Sequence, residues 1–155
     1  MGTNELKTQE KQRHGFVTFW LWLGIIGNVV SLIITMFSYG KMSRVWSLEG
    51  GEGLRTHYLI LGAVAVIGGI ALIICYGKIL NWKKSGFWGA IIVAVIIGIT
   101  NVILMNLIQK DFANMGLYVS LNPFTQVIAT PLSLLILWAV LQIKKDGVSC
   151  WKLLE

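Results

Sequence analysis

The side chains of this sequence best suited to binding another polar group are amides and hydroxyls set among apolar residues. In the uncharged stretch Phe16 to Phe37, four small or polar residues recur at i, i+4, i+7 and i+11: Gly24, Asn28, Ser31 and Thr35. A helix places all four on one face, as a polar stripe. The opposite face is apolar and predicted to contact lipid: Trp22, Ile26, Val29, Ile33 and Phe37.

Two later apolar stretches carry similar groups. One helix face has Asn101 at the end of a small-residue seam, and another carries Gln126 and Thr130. Two interpretations stay open for these residues. They hydrogen-bond between helices and hold them together, or they line a polar crevice that opens to the outside. Pro131 favours a bend beside the crevice, because proline frees the carbonyl four residues earlier.

Ionisable and catalytic groups are sparse. The apolar stretches carry no Asp, Glu, Lys, Arg or His in their central parts. Ion-coupled transport usually needs such a group, so the sequence disfavours a coupled transporter and leaves passive conduction open. Glu49, Glu52 and His57 are predicted to be solvated, since their spacing matches no metal site. We expect no metal, no cofactor and no enzymatic activity.

The composition indicates the elements that must position these groups. The chain has 155 residues, of which 55% are hydrophobic and 13% charged, whereas soluble domains carry about 25% charged residues. We predict an all-α polytopic membrane protein, an antiparallel bundle of four transmembrane helices. The spans are predicted at about 16–37, 58–82, 87–108 and 123–143, with loops over 38–57 and 109–122 and cytoplasmic tails at 1–15 and 144–155.

Close packing of these helices requires small residues where they meet. The second span supplies glycines and the third a small-residue seam. The predicted packing residues are Gly62, Gly68, Gly69, Ala90, Ala94 and Gly98.

The basic residues predict the orientation. Nine of the 13 Lys and Arg residues lie in the two tails and the short 83–86 connection with its flank, and four lie on the other side. The positive-inside rule therefore predicts that both termini are cytoplasmic.

A short pattern of basic residues followed by glycine and an apolar residue occurs three times. It stands at Arg13 to Phe16, Lys83 to Phe87 and Lys144 to Val148. The pattern leaves open a duplication of one two-helix hairpin, because two spans per copy preserve the orientation. The alternative is that every inner junction needs a basic and a flexible residue.

The segments RHGFVTFWLWLGIIGN (13–28) and LQIKKDGVSCWKLL (141–154) resemble small four-span bacterial inner-membrane proteins that have no assigned activity. The resemblance implies an inner (plasma) membrane location and a four-helix plan, and it implies no catalytic residues. We expect a non-enzymatic subunit or self-associating scaffold that acts through helix or loop contacts. The alternative is a small uncoupled pore or carrier for a neutral or lipid-like ligand. Expected partners are membrane lipid and a second copy or another membrane protein, and not nucleic acid.

Overall fold

The chain folds almost entirely into helices. A computed structural model describes residues 14–46, 51–117, 123–145 and 147–154. The four long helices are α1 (Gly15–Trp46), α2 (Gly51–Leu80), α3 (Lys84–Asn114) and α4 (Pro123–Leu141). Three of their segments are long and apolar enough to cross a membrane: Gly15–Ser38, Glu52–Leu80 and Lys84–Asn114. A short hairpin follows, with β1 (Lys144–Lys145) and β2 (Val148–Ser149), and then one helical turn, α5 (Cys150–Leu153).

The helices are longer than the sequence predicted. The predicted loop over 38–57 is largely helical, because α1 continues to Trp46 and α2 begins at Gly51. Packing explains the early start of α2, since Leu54 is fully buried against α3. The carboxylate of Glu52 in the first turn also favours a helix start, where the helix dipole is positive. At the other side of the contact, α3 runs to Asn114 instead of stopping near residue 108.

Helices α2 and α3 are joined by three residues, 81–83. The connection is as tight as the sequence predicted but lies earlier than the predicted 83–86, because α3 begins at Lys84. The Lys83 N–H donates to the Lys78 carbonyl at 2.9 Å, and the Trp82 N–H donates to the Ile79 carbonyl at 3.0 Å. This pair of bonds is the Schellman arrangement that commonly ends helices. Trp82 takes the left-handed position, with φ 62°, which costs about 1 kcal/mol for a residue with a side chain.

Small residues bring α2 close to both of its neighbours. A Cβ added at Gly69 would lie 2.9 Å from Leu32 of α1, and one added at Gly68 would collide with Ile97 of α3. Gly62 is buried as well. On α3, Ala90 and Ala94 are buried, whereas a Cβ at Gly98 would meet open space. The closest approach to backbone atoms among the described glycines is at Gly86, where an added Cβ would lie 2.5 Å from the backbone oxygen of Cys75.

Two buried apolar clusters stabilise opposite ends of the helices. The larger, here the terminal cluster, joins the first turns of α1 and α3 to the last turns of α2 and α4 and to the C-terminal segment. The smaller, the distal cluster, joins the start of α2 to the end of α3 through Leu54, Ile108 and Phe112. The ends of the molecule that carry them are called the terminal end and the distal end. The terminal cluster consists of Val17, Leu21, Ile79, Phe87, Leu137, Val140, Leu141, Cys150 and Leu154.

The C-terminal segment is folded onto the terminal end, although the sequence predicted a simple tail over 144–155. Gly147 has φ 82°, and this left-handed turn lets β2 pair back on β1. The Trp151 ring then packs edge-on against Phe87 of α3, with 5.0 Å between ring centroids. Cys150 and Leu154 are 3% and 2% exposed. The segment therefore forms part of the core of the molecule.

The three basic-glycine junctions differ in conformation. Gly15 is the first residue of α1, Gly86 lies in the first turn of α3, and Gly147 lies in a β-turn. The conformations are those of three separate connections, and the hairpin duplication stays a prediction.

Candidate functional site

An imidazole and a carboxylate meet at the distal end, between α2 and α3. The Nδ1 atom of His57 lies 2.6 Å from Oδ2 of Asp111. The two residues are 54 positions apart in sequence, and each lies on a different helix. The contact therefore joins α2 to α3.

The surroundings of this His–Asp pair are closely packed. A Cβ added at Gly53 would lie 3.2 Å from Oδ1 of Asp111, so glycine allows the carboxylate to reach α2. Leu54 and Phe112, one turn or less away, belong to the distal cluster, and Tyr58 packs against it. The His57 and Asp111 side chains are 25% and 17% exposed. Both side chains are therefore partly buried, and each is the hydrogen-bond partner of the other.

The geometry defines what the pair can do. A carboxylate oxygen accepts, so the ring nitrogen facing it carries the hydrogen, and Nδ1–H donates whether the imidazole is neutral or charged. The bond orients the ring and turns Nε2 away from Asp111, as carboxylates do for functional histidines. Within residues 14–46, 51–117, 123–145 and 147–154, no group of three His, Cys, Asp or Glu side chains is placed to hold a metal ion. The pair therefore links α2 to α3 through a hydrogen bond.

Sequence reasoning missed this pair because it began the second span at residue 58 and ended the third at residue 108. Those bounds place His57 in the predicted loop over 38–57 and Asp111 in the predicted loop over 109–122. A signal was present. Leu54, Tyr58 and Leu61 continue the helical spacing ahead of the predicted start of the second span. Following that spacing would have placed His57 on a helix, one residue before Tyr58.

The polar stripe of α1 makes its hydrogen bonds within its own helix. The Asn28 amide donates to the Gly24 carbonyl at 2.8 Å, and the Thr35 hydroxyl donates to the Ser31 carbonyl at 2.8 Å. Side chains of this kind commonly bond to the carbonyl four residues back. These two groups are thus satisfied without a partner on another helix. The stripe still faces α2 in part, because a Cβ at Gly24 would lie 3.0 Å from the Tyr76 ring.

The remaining predicted polar residues belong to α3 and α4. Asn101 is half-buried on α3. Gln126, Thr130 and Pro131 belong to α4, but their side chains lie outside the described part, as does the whole of Glu49.

A large side of α1 is uncovered. From Trp22 to Ser38 no side chain of α1 is buried. A Cβ at Gly27 would meet nothing within 4 Å, and Ser31, one turn further along, is exposed. The apolar face predicted to contact lipid is exposed too, from 42% at Val29 to 73% at Phe37. Helix α1 therefore has an exposed apolar face and, beside it, a line of two exposed small residues, Gly27 and Ser31.

No protein family, no curated protein and no solved structure matches this chain.

Proposed function

We propose that the chain is an integral protein of a bacterial inner membrane, with four helices crossing as an antiparallel bundle and both termini in the cytoplasm. The terminal cluster supports this topology, because it joins Val17 near one chain end to Leu154 near the other. The 19 residues of α4 extend about 28 Å at 1.5 Å per residue, close to the roughly 30 Å of a hydrocarbon core. The basic residues concentrated in the two tails and around the α2–α3 connection favour a cytoplasmic position for these segments.

Within that membrane, the proposed role is non-enzymatic. The protein acts through helix contacts, as a self-associating scaffold or as a subunit of a larger assembly. The observation that supports this role most is that two small residues of α1, Gly27 and Ser31, lie four residues apart and are exposed. Helices in lipid associate through small residues at this spacing, because these residues let two backbones approach closely. The molecule already uses small residues this way internally, at Gly68 and Gly69.

Self-association in a bilayer tests the proposal. Two populations of the full-length protein, carrying donor and acceptor dyes, are reconstituted in liposomes, and energy transfer is measured against protein density. We expect transfer above that of randomly placed monomers. Ser31→Leu fills the line with a bulky side chain and should weaken association by about tenfold, equivalent to about 1.4 kcal/mol.

The matched control is Val29→Leu, which enlarges a side chain on the apolar face of the same helix. Val29 is 42% exposed, so this change should leave energy transfer as in the wild type. Energy transfer no higher than for random monomers, or equal transfer in Ser31→Leu and the wild type, would refute self-association through α1. If Ser31→Leu instead altered the passage of a neutral solute with association intact, the crevice hypothesis would replace the contact role.

A further inference from the structure

The exposed lysines of the terminal end border one buried cluster. Ile79 belongs to the terminal cluster, and Trp82, Ile143 and Trp151 pack against it. Each of these four is adjacent in sequence to a lysine with an exposed side chain. The lysines are Lys78, Lys83, Lys144 and Lys152. The fold thereby brings the chain on either side of these lysines, from the end of α2, the α2–α3 connection and the C-terminal segment, to one buried cluster.

This arrangement depends on the folding of the C-terminal segment. Trp151 packs on Phe87, three residues after Lys84, and Leu154 is 2% exposed. Residues 147–154 are thus folded back toward the start of α3, with Trp151 in contact with it. Ile143 and Trp151, the neighbours of Lys144 and Lys152, therefore pack at the same cluster as Ile79 and Trp82, the neighbours of Lys78 and Lys83.

The charge at this end is unbalanced. In the sequence, nine basic and four acidic residues belong to the tails and the α2–α3 connection, against four basic and three acidic residues on the other side. Glu52 and Asp111, the acidic residues that the described ranges include, both lie at the distal end. The excess in these segments is five basic residues, nine against four, and this charge favours an anion from outside the chain.

An apolar path leads away from these amines along α3. Lys84 is half-buried at the first turn, and the residues that follow it on the same face are highly exposed. Trp88, Ile92, Ile96 and Ile99 are 56%, 60%, 58% and 59% exposed, at a spacing of three or four residues. A ligand that satisfies both features has an anionic group and a long hydrocarbon chain joined to it. Tryptophan at the junction is typical of the depth where headgroups meet acyl chains.

We propose that the terminal end holds an anionic phospholipid. Its phosphate lies among the lysines of the α2–α3 connection and the C-terminal segment, and an acyl chain lies along the exposed face of α3 that begins at Trp88. Basic pockets at the cytoplasmic ends of membrane helices recognise such headgroups. This inference is independent of self-association through α1.

Fluorescence quenching by brominated lipids tests the site in the full-length protein. The protein is reconstituted in phosphatidylcholine vesicles that contain a minor fraction of brominated phosphatidylglycerol or of brominated phosphatidylcholine. We expect stronger quenching by the phosphatidylglycerol. Lys83→Gln combined with Lys152→Gln removes one amine from each segment. Its preference should fall by about fivefold for each lysine, down to the level set by phosphatidylcholine.

The matched control is Lys41→Gln combined with Lys110→Gln, which removes two exposed amines on the other side of the chain. It should retain the wild-type preference. The headgroup assignment is overturned if the wild type shows no preference for phosphatidylglycerol, or if the two double variants lose it equally.

Two further measurements test the acyl-chain path. Trp88→Phe should remove most of the quenching that depends on phosphatidylglycerol, and unchanged quenching would refute the path along α3. Inorganic phosphate should fail to displace the lipid when both are present at equal concentration. Displacement at that ratio would show that a free anion suffices, and the lipid assignment would be overturned.

Discussion

Replacing Gly86 by alanine tests the contact that fixes α2 against α3. The added Cβ would lie 2.5 Å from the carbonyl oxygen of Cys75 and 2.8 Å from the backbone nitrogen of Ile79. Both are backbone atoms of α2, so no side-chain rotation relieves the overlap. The two helices would have to move apart by several tenths of an ångström, and the neighbouring packing of Phe87 in the terminal cluster would loosen.

The expected magnitude follows from two opposing contributions. Forcing an extra methyl group into a packed contact costs typically about 1 to 3 kcal/mol. Alanine favours a helix over glycine by roughly 1 kcal/mol, which offsets part of that cost. We therefore expect Gly86→Ala to lower the free energy of unfolding by up to about 2 kcal/mol.

Gly98→Ala is the matched control, because Gly98 lies on the same helix and a Cβ there would meet nothing within 4 Å. Only the helix preference remains, so this variant should gain up to about 1 kcal/mol. Both are measured by reversible unfolding in mixed detergent micelles, with helical circular dichroism as the signal. If Gly86→Ala proved as stable as Gly98→Ala, the backbone contact between α2 and α3 would be refuted.

The same unfolding assay tests two other contacts. In a double-mutant cycle, His57 and Asp111 are replaced by alanine singly and together. The coupling energy should be about 1 to 2 kcal/mol, because removing one partner leaves the other half-buried and unpaired. Strictly additive losses would refute the pair. Leu154→Ala should cost about 2 kcal/mol, because Leu154 is 2% exposed, whereas Leu132→Ala, at a position 52% exposed, should cost well under half as much; equal losses would show that the C-terminal segment is not packed on the helices.

The sequence predicted the central parts of the helices well, for a physical reason. A run of apolar residues such as Phe16 to Phe37 has few alternatives to a helix in lipid, where each backbone polar group must be satisfied internally. The helix ends were harder to predict. Helices α2 and α3 extend through Leu54 and Phe112 because these two residues are buried in the same cluster. Burial between two helices is a tertiary effect, and the hydropathy of one segment does not report it.

The polar residues show a second limit. Spacing placed Asn28 and Thr35 on one face, but spacing does not identify a hydrogen-bond partner. The carbonyl four residues back is always within reach of such side chains in a helix, and both of these residues use it. The C-terminal segment shows the same limit, since the contact of Trp151 with Phe87 joins residues 64 positions apart in the chain.

The sidedness of the two chain ends tests the proposed architecture most directly. A single cysteine is placed either in the tail 1–13 or at residue 155, in a background where Cys75 and Cys150 are replaced by serine or alanine. Intact cells are then treated with a maleimide that does not cross the inner membrane. With four crossing helices and cytoplasmic termini, both positions should react only after the membrane is permeabilised. Reaction of one terminus in intact cells would mean an odd number of crossings, and reaction of both would mean the opposite orientation. Either result would contradict the account.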